Sequence, residues 1–368
     1  MRQPLVFVSA GDISGDTAVA RVIAALRKRH PELACMGLGG PRLKQLGQRQ
    51  LVPADKLDVI GFWEVVHRLP FFRKLLARAE EEIRTRRPAC VLLVDYPGFN
   101  LRLAQRVKPL GIPVIYYITP QVWAWGHRRT EKIKRAVDRV LVILPFEEAF
   151  FRRNGVNSTF VGHYLLEDIP KAYLASPLPG HNRLALLPGS RRQEVARMLV
   201  PMLDAARRLY QEHGLTAVVA GLKGIYDYEA AMAAYADSGI DLVYDDTRRI
   251  IYESDYVLTA SGTATLEVGL IGRPMVIVYK TGFVSYQIAR RIVKLDAIGL
   301  VNLTPGRKVV PELIQHEFTP ANMTDQISRY VMDDTYRHQT IADLHRLSQT
   351  LGGVGASERV AAIIEEYL

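Results

Sequence analysis

The feature that most constrains the fold is an alternation of short apolar runs with helix-period segments, which occurs twice along the chain. The runs are rich in Val, Ile and Leu and end at turn signals, which is typical of buried parallel strands. The predicted strands are Leu5–Ser9, Val91–Val94, Val114–Ile118, Val140–Leu144, Thr159–Val161, Leu184–Leu187, Thr216–Ala220, Asp241–Tyr244, Tyr256–Thr259 and Met275–Tyr279. This pattern predicts the α/β class, with two Rossmann-like parallel-sheet domains that face a central cleft.

A stretch rich in proline separates the two series of strands. Residues 169–182 contain three prolines, a composition typical of a linker. We therefore expect an N-terminal domain over 1–168 and a C-terminal domain over 183–345. Residues 346–368 are expected to form a C-terminal helix that packs back toward the N-terminal domain or against a partner subunit.

The charge balance points to a polyanionic partner. Lys and Arg number 48 against 38 Asp and Glu, a net charge of +10, which suits nucleic acid, an anionic membrane or phosphorylated substrates. The only two cysteines, Cys35 and Cys90, lie in apolar runs, which excludes a disulfide framework and predicts reduced core thiols. No run approaches the ~18–20 apolar residues of a spanning helix, and no signal peptide is recognisable. We expect a soluble, cytoplasmic protein.

Ligands of parallel sheets sit at the carboxyl ends of the strands, and two acids follow strands of the first domain. Asp12 lies in a glycine-containing turn that is neither a Walker loop nor a dinucleotide fingerprint. Either this turn approaches a ligand, or it is a tight turn with Ser14 or Asp16 capping the next helix. Asp95 is placed for general base work, or it opens the Pro-Gly turn that follows it.

Two strand ends of the second domain carry groups that suit a nucleotide. Free amides, hydroxyls and an arginine at the start of a helix fit a diphosphate, and a Glu one turn into a helix fits ribose hydroxyls. The alternatives are a solvated capping turn and an acid that complements the helix dipole. The candidate residues are Gly189, Ser190, Arg191, Ser261, Gly262, Thr263 and Glu267. Neither Cys/His ligand spacing nor Asp-x-Asp occurs in the sequence, so we expect no metal.

One segment interleaves bulky apolar and basic residues, as interfacial membrane elements do. Its apolar residues are Phe62, Trp63, Val66, Leu69 and Phe71. Nucleic-acid binding favours stacking aromatics along a basic groove, whereas the apolar residues of the whole segment, 59–76, are largely aliphatic. We therefore expect a membrane surface as a partner and no nucleic acid.

Together, ten motifs in order resemble the lipid-A-disaccharide synthase family, inverting glycosyltransferases of the GT-B fold from Gram-negative bacteria. The resemblance covers essentially the whole chain. The motifs are AGDISGD (10–16), GLGGPR (37–42), VIGFWEVVHRLP (59–70), DYPGFNL (95–101), TPQVWAW (119–125), ILPFEEAFF (143–151), FVGHYLLE (160–167), LLPGSRRQEV (186–195), SGTATLEVGL (261–270) and NLTPGRKVVPELIQ (302–315).

The resemblance implies a reaction that needs neither metal nor cofactor. UDP-2,3-diacylglucosamine would donate its sugar to 2,3-diacylglucosamine 1-phosphate (lipid X), giving the β-1,6-linked lipid A disaccharide 1-phosphate and UDP. The acceptor hydroxyl needs a base. Many relatives carry Glu in place of Asp12 and a second Asp in place of Gly98, which leaves Asp95 as the preferred base and Asp12 as its rival.

The resemblance also implies roles for the second domain. Ser190 and Arg191 match positions that hold the UDP diphosphate, Glu267 matches the ribose-binding acid, and Asn302 matches an amide near the reacting sugar. Ser261, Gly262 and Thr263 match the lining of the ribose site.

A peripheral enzyme at the cytoplasmic face of the inner membrane is the implied location, and the oligomeric state stays open, with a homodimer as one alternative. An alternative function is another UDP-N-acetylglucosamine-dependent GT-B enzyme, such as the peptidoglycan lipid-linked transferase or a 2-epimerase. The Trp-Ala-Trp loop and the Gly-Phe-Trp-Glu-Val segment argue against both. From another class, a basic nucleic-acid-binding protein without catalysis is a disfavoured alternative.

Overall fold

Two parallel sheets organise the chain, one in each of two compact units. The structure, a computed structural model, describes residues 3–53, 69–125, 127–282 and 297–368.

The first sheet has seven parallel strands in the order β3-β2-β1-β4-β5-β6-β7. They are β1 (Leu5–Ala10), β2 (Ala34–Leu38), β3 (Arg49–Gln50), β4 (Cys90–Val94), β5 (Val114–Tyr117), β6 (Arg139–Val142) and β7 (Ser158–Phe160). Strand order reverses between β1 and β4, where Ala10 pairs with Val94. That reversal is a topological switch point, where open α/β sheets place their ligands.

The helices described in the first unit lie between its strands in sequence, except for the last, which comes from the C-terminal part of the chain. They are α1 (Ile13–Arg29), α2 (Pro41–Gln45), α3 (Leu69–Arg86), α4 (Pro97–Val107), α5 (Val122–Trp125), α6 (His127–Ala136), α7 (Pro145–Arg153) and α16 (Ala356–Glu365). Helix α1 shows why they form: Val19, Val22, Ile23 and Leu26 recur on one face and are fully buried, so this face contributes to the core.

The second sheet has six parallel strands in the order β10-β9-β8-β11-β12-β13. They are β8 (Arg183–Leu187), β9 (Thr216–Gly221), β10 (Ile240–Tyr244), β11 (Tyr256–Ala260), β12 (Met275–Tyr279) and β13 (Glu312–Ile314). The described helices of this unit are α8 (Leu165–Asp168), α9 (Arg192–His213), α10 (Tyr228–Met232), α11 (Thr247–Tyr252), α12 (Thr263–Ile271), α13 (Leu300–Leu303), α14 (Pro320–Met332) and α15 (Asp334–Thr350). Its switch point lies between β8 and β11.

The predicted fold class is confirmed, and each predicted strand is present with its ends moved by at most two residues. Three strands escaped the prediction: β2, β3 and β13. Strand β2 reads Ala-Cys-Met-Gly-Leu and lacks the β-branched residues that mark strands. Strands β3 and β13 are only two and three residues long, too short for a periodic signal.

The two units divide between Tyr164 and Leu165, and residues 169–182 belong to the second unit. This differs from the linker expected there, because the stretch is bonded to its own unit. The N–H of Ala175 donates to the carbonyl of Leu270 at 2.8 Å. The buried guanidinium of Arg273 donates to the carbonyl and the hydroxyl of Ser176.

The C-terminal residues Gly352–Leu368 group with the first unit. Helix α16 packs against α1, and Glu365 accepts from Arg29 at 3.1 Å and pairs with His30 at 2.7 Å. The last helix therefore completes the first unit although it follows the second in sequence.

The cysteines are unpaired and buried within the first sheet. Burial raises the pKa of Cys35 and of Cys90 to about 12, so both remain thiols at neutral pH. Among the helices that the structure describes, none combines the length and the apolar character needed to cross a bilayer.

Candidate active site

Two carboxylates meet at the switch point of the first sheet. Asp12 follows β1 and Asp95 follows β4, which are neighbouring strands. Asp12 itself caps α1, since its Oδ1 accepts from the N–H of Gly15 at 2.8 Å. The cap is therefore neither Ser14 nor Asp16. Buried Asp16 instead accepts amides of the turn that opens α2.

The environment of Asp95 suits a group that takes up a proton. Burial and, next in size, the negative charge of Asp12 raise the pKa of Asp95 to about 6; a side-chain hydrogen bond with Asp12 also raises it, whereas the Tyr96 amide lowers it. A carboxylate with a pKa near 6 is ionised at neutral pH yet more basic than an ordinary aspartate. Asp12 and Asp95 thus act as a coupled pair.

The backbone that carries Asp95 is unusual. Asp95 and Tyr96 have φ values of 44° and 48°, a left-handed conformation that costs non-glycine residues about 1–2 kcal/mol each. Asn100 holds it, because its Nδ2 donates to the carbonyls of Asp95, Val94 and Ser9 at 2.7, 3.1 and 3.1 Å. The hydroxyl of Tyr116 also donates to the Asp95 carbonyl at 2.8 Å. The turn is strained and firmly anchored.

Two glycines border this turn, and they differ in whether a side chain would fit at their positions. A Cβ on Gly11 would lie 2.3 Å from ring atoms of Tyr96, so only glycine fits beneath that ring. A Cβ on Gly98 would meet nothing within 4 Å. The space for a longer side chain at position 98 is therefore present although this chain leaves it empty.

A third acid, which is buried, follows β6 in the same unit. Glu147 lies in the first turn of α7 and accepts from Trp123 Nε1 at 2.9 Å and from the N–H of Leu144 at 3.1 Å. Burial raises the pKa of Glu147 to about 7 against the lowering effect of these donors. Trp123 also packs edge-on against Phe146, with ring centroids 4.9 Å apart. Glu147 thus anchors the short helix α5, which contains Trp123, to the first turn of α7.

A cavity of about 290 Å³ lies at the carboxyl ends of β8 and β11 in the second unit. Six of the seven nucleotide-site candidates line it, together with Glu194, Thr247 and apolar residues of the strand ends. The six are Gly189, Ser190, Ser261, Gly262, Thr263 and Glu267. The first turn of α12 borders the cavity, and such a turn presents unbonded amides to an anion.

The turn before α9 is built for close approach. Gly189 has φ +119°, and a Cβ there would lie 2.8 Å from the Cβ of Glu194, so glycine is required. Glu194 folds back on this turn, accepting from the N–H of Ser190 at 3.3 Å and pairing with Arg191 at 3.2 Å. Arg191 does not line the cavity, and its side chain is 76% exposed. A bound diphosphate would compete with Glu194 for these donors.

Glu267 is held by an arginine that sequence reasoning missed. Arg248, in α11, donates from Nε and Nη2 to Glu267 Oε1 at 2.9 and 2.7 Å, and from Nη1 to the carbonyl of Asp168 at 2.9 Å. Arg248 falls in none of the recognised motifs, and nothing in its local pattern signals a partner 19 residues away.

Asn302 is buried in α13 with its amide fully engaged. Its Nδ2 donates to the carbonyl of Val310 and to Glu312 Oε1, and its Oδ1 accepts from the N–H groups of Val309 and Val310. Both hydrogens of the amide are therefore used within the protein. The observed geometry is that of a side chain that shapes a loop, rather than one aimed at a ligand.

The same network reaches the cavity. Glu312 accepts from the N–H groups of Ile298 and Gly299 at 2.9 and 3.0 Å, and the carbonyl of Ile298 accepts from the hydroxyl of Ser261 at 3.4 Å. Asn302 is thus connected to the cavity wall through Glu312 and Ile298.

The expected membrane segment is described only at its end. Phe62, Trp63 and Val66 lie outside the described residues, and Leu69 begins α3. Phe71 is half-buried, packs on the core of the first unit and meets Phe72 edge-on at 5.4 Å. Phe71 therefore has a packing role of its own. Within the described parts of the chain, no group of three or more His, Cys, Asp or Glu could hold a metal ion.

The fold and the cavity place the chain among known proteins. Residues 6–366 match the family described as lipid-A-disaccharide synthetase. Lipid-A-disaccharide synthases of Anaeromyxobacter dehalogenans and Myxococcus xanthus are 41% and 40% identical to this chain, covering 97% and 99% of it and 95% and 98% of those proteins.

Solved structures share the fold at low identity. A UDP-GlcNAc 2-epimerase from Neisseria meningitidis has a TM-score of 0.62 at 10% identity, covering 98% of this chain and 99% of its own. The kitacinnamycin glycotransferase has a TM-score of 0.62 at 14% identity, with both chains covered in full.

Two parallel-sheet α/β units, with this likeness to glycosyltransferases and epimerases, define a protein of the GT-B fold. The whole-length family match is more specific. The chain belongs to the lipid-A-disaccharide synthase family, and it is a glycosyltransferase of lipid A biosynthesis.

Proposed function

We propose that this enzyme condenses UDP-2,3-diacylglucosamine with 2,3-diacylglucosamine 1-phosphate, giving the β-1,6-linked lipid A disaccharide 1-phosphate and UDP. The observation that carries the proposal is the second-unit cavity, which is lined by all but one, Arg191, of the residues that the family resemblance assigns to UDP. Its glycine amides and hydroxyls suit a diphosphate, and the carboxylate of Glu267 suits a ribose.

The chemistry requires a proton acceptor and support for a leaving anion. In the proposed reaction the primary hydroxyl of the acceptor attacks the anomeric carbon, the bond to the UDP oxygen breaks, and UDP leaves with the electron pair. Asp95 takes the hydroxyl proton, and its raised pKa of about 6 favours that transfer. Amides of the turn before α9, with Ser190 and Arg191, stabilise the negative charge that develops on the diphosphate.

Asp12 and Asn302 support these steps. Asp12 raises the basicity of Asp95 through its charge, and it is the rival base. Asn302, whose amide is bonded within the protein, acts as a positioning residue for the loop that contacts Ser261 rather than as a group in contact with the sugar.

A turnover assay with purified protein and both lipid substrates tests the proposal. Disaccharide 1-phosphate and UDP should appear in equal amounts. Unacylated UDP-N-acetylglucosamine, offered alone and with an undecaprenyl-linked acceptor, serves as the control for the epimerase and peptidoglycan alternatives. Failure to form disaccharide or to release UDP from the acylated pair would refute the assignment.

The enzyme is further proposed to work at the cytoplasmic face of the inner membrane, where its acylated substrates reside. The net charge of +10 favours an anionic lipid surface, to which each nearby basic residue adds about 1 kcal/mol. Phe62, Trp63, Val66 and Leu69 would enter the interface, with Phe71 shared with the core.

Vesicle flotation tests this contact. Trp63→Ser with Phe71→Ser should weaken binding to anionic vesicles, and Trp63→Ser alone should account for most of the loss because Phe71 packs on the core. Met332→Ser, which changes a side chain 70% exposed in the second unit, is the control. Equal vesicle binding by all variants would show that this segment does not contribute to membrane binding.

A further inference from the structure

Arg248 approaches the carboxylate of Glu267 from outside the nucleotide cavity. A second cavity of about 410 Å³ is lined by Arg248 and Glu267 and by residues at the start of α11. Glu267 borders both cavities, whereas Arg248 borders only the second. The Glu267 side chain therefore contacts the guanidinium of Arg248 and also borders the nucleotide cavity.

The two carboxylate oxygens of Glu267 differ in their hydrogen bonds. Arg248 directs both Nε and Nη2 to Oε1, at 2.9 and 2.7 Å. The usual fork of an arginine on a carboxylate would engage one oxygen with each nitrogen. With both donors on Oε1, the acceptor capacity of Oε2 is left for a ligand.

Arg248 is itself fixed at its far end. Its Nη1 donates to the carbonyl of Asp168 at 2.9 Å, and its Nη2 lies 4.0 Å from the Asp168 carboxylate. With donors committed to α8 and to Glu267, the planar guanidinium joins two elements of the second unit. A guanidinium that is fixed at both ends can hold another side chain in one orientation, but it is poorly suited to move with a diphosphate.

We propose that Arg248 is a positioning residue that locks Glu267 by Oε1, so that Oε2 accepts the ribose hydroxyls of a uridine nucleotide. The inference rests on the proposed ribose role of Glu267. A glutamate side chain without such a partner occupies several rotamers, and its hydrogen bonds to a ligand then include the loss of that freedom. The lock removes this loss before the ligand arrives.

The test compares UDP with 2′,3′-dideoxy-UDP, which lacks both ribose hydroxyls. Calorimetry with the full-length protein gives Kd for each nucleotide, and their ratio isolates the contribution of the hydroxyls. Wild type should bind UDP about 10-fold or more tightly than the dideoxy analogue, the scale of a charged hydrogen bond. Arg248→Gln should reduce the ratio to about threefold or less while leaving the Kd of the dideoxy analogue unchanged.

Two further variants keep the result interpretable. Arg249→Gln is the matched control, because Arg249 is the next residue of α11, is 50% exposed and pairs only locally, with Asp246 and Glu253; it should retain the wild-type ratio. Arg248→Lys, which restores the charge but not the two-nitrogen contact, should give an intermediate ratio. Circular dichroism melts of each variant report whether the fold is kept.

The outcomes separate the inference from the function on which it rests. A ratio abolished by Glu267→Gln but kept by Arg248→Gln would overturn the positioning role and leave the ribose role of Glu267 intact. Equal weakening of both nucleotides in Arg248→Gln would also overturn it, since the arginine would then act on the diphosphate or on the fold. An unchanged ratio in Glu267→Gln would instead refute the ribose assignment itself.

Discussion

The carboxyl edges of the two sheets are built from the same strand–turn–helix unit but carry opposite chemistry. The edge of the first sheet collects three acids, the half-buried Asp12 and Asp95 and the buried Glu147, and burial raises the pKa of the last two. The edge of the second sheet collects glycine amides and hydroxyls around a cavity, and its one lining acid of the predicted site, Glu267, is paired with Arg248. One edge is suited to accept protons and the other to hold an anion. The topology thus supplies positions, and the side chains at strand ends decide their use.

The largest expected effect is a loss of kcat on replacing Asp95, the proposed proton acceptor at the carboxyl edge of the first sheet. Asp95→Asn keeps the shape of the side chain but loses its basicity, so kcat should fall roughly 100-fold or more. UDP affinity should be unchanged, because the proposed nucleotide site lies in the second unit. Steady-state kinetics together with calorimetry of UDP binding make the comparison.

Asp12→Asn is the companion variant. The pH profile of wild-type kcat/KM should rise with pH through about 6, as Asp95 loses its proton. Without the Asp12 charge the pKa of Asp95 is less raised, so the rise should move to lower pH with a smaller loss of rate. A large loss in Asp12→Asn with little change in Asp95→Asn would reverse the assignment of the base.

The buried acid of α7 should make stability depend on pH. Because the pKa of Glu147 is raised from 4.5 to about 7 in the folded protein, the folded state holds its proton more tightly than the unfolded state. Protonated Glu147 therefore contributes its full stabilisation of the folded state below pH 4.5. This contribution to the free energy of unfolding, roughly 2–3 kcal/mol, is lost as the pH rises through about 7.

Urea unfolding of Glu147→Gln across this pH range checks the effect. The contribution of this residue should vanish, leaving a flatter profile than in wild type. Glu131→Gln is the control, because Glu131 is 53% exposed. If both variants retain the wild-type profile, Glu147 does not carry the pH dependence.

At the second edge, Gly189→Ala should weaken UDP binding about tenfold. The new Cβ requires a φ of +119° and meets Glu194 at 2.8 Å, so the turn must move, and a shifted turn misplaces its amides. Gly214→Ala is the matched control, because Gly214 also has positive φ, at +65°, but its Cβ would meet nothing. Similar UDP affinities in the two variants would show that the turn tolerates the side chain.

The smallest expected effect is a change in stability at Gly98, which has open space beside its Cα at the edge of the first sheet. Gly98→Asp places an acid in the first turn of α4, where space is open and the helix dipole favours negative charge. The free energy of unfolding should rise by about 1 kcal/mol. Gly98→Ala should give only the part due to helix propensity, and an Asp variant no more stable than the Ala variant would exclude the dipole contribution.

The sequence predicted the strands that carry a strong local signal and missed those defined by tertiary pairing. Strand β12 was predicted with its observed limits, because Met-Val-Ile-Val-Tyr is continuous and bounded by turns. Strand β3, with two residues, exists only through its pairing with β2. The site shows the same division. Ser190 and Glu267 stand in motifs, whereas the Arg248 partnership depends on how α11 packs beside α12, which local spacing does not encode.

Asn302 shows a different limit. Its motif predicts an important residue but not the manner of its importance, since the same amide can face a ligand or bond the loop around it. Only the positions of Val310 and Glu312 reveal that the amide is used internally. A motif therefore identifies a position more reliably than it identifies a contact.

The fit between Gly11 and Tyr96 has a consequence for how this turn can evolve. Because the ring of Tyr96 fills the place of a Cβ on Gly11, a library of single substitutions should yield almost no functional variant at position 11. Paired replacements that shrink residue 96 should recover some, so the two positions should show strong epistasis. Asp95, the proposed base, is consequently carried on a turn whose sequence should change only by coordinated steps.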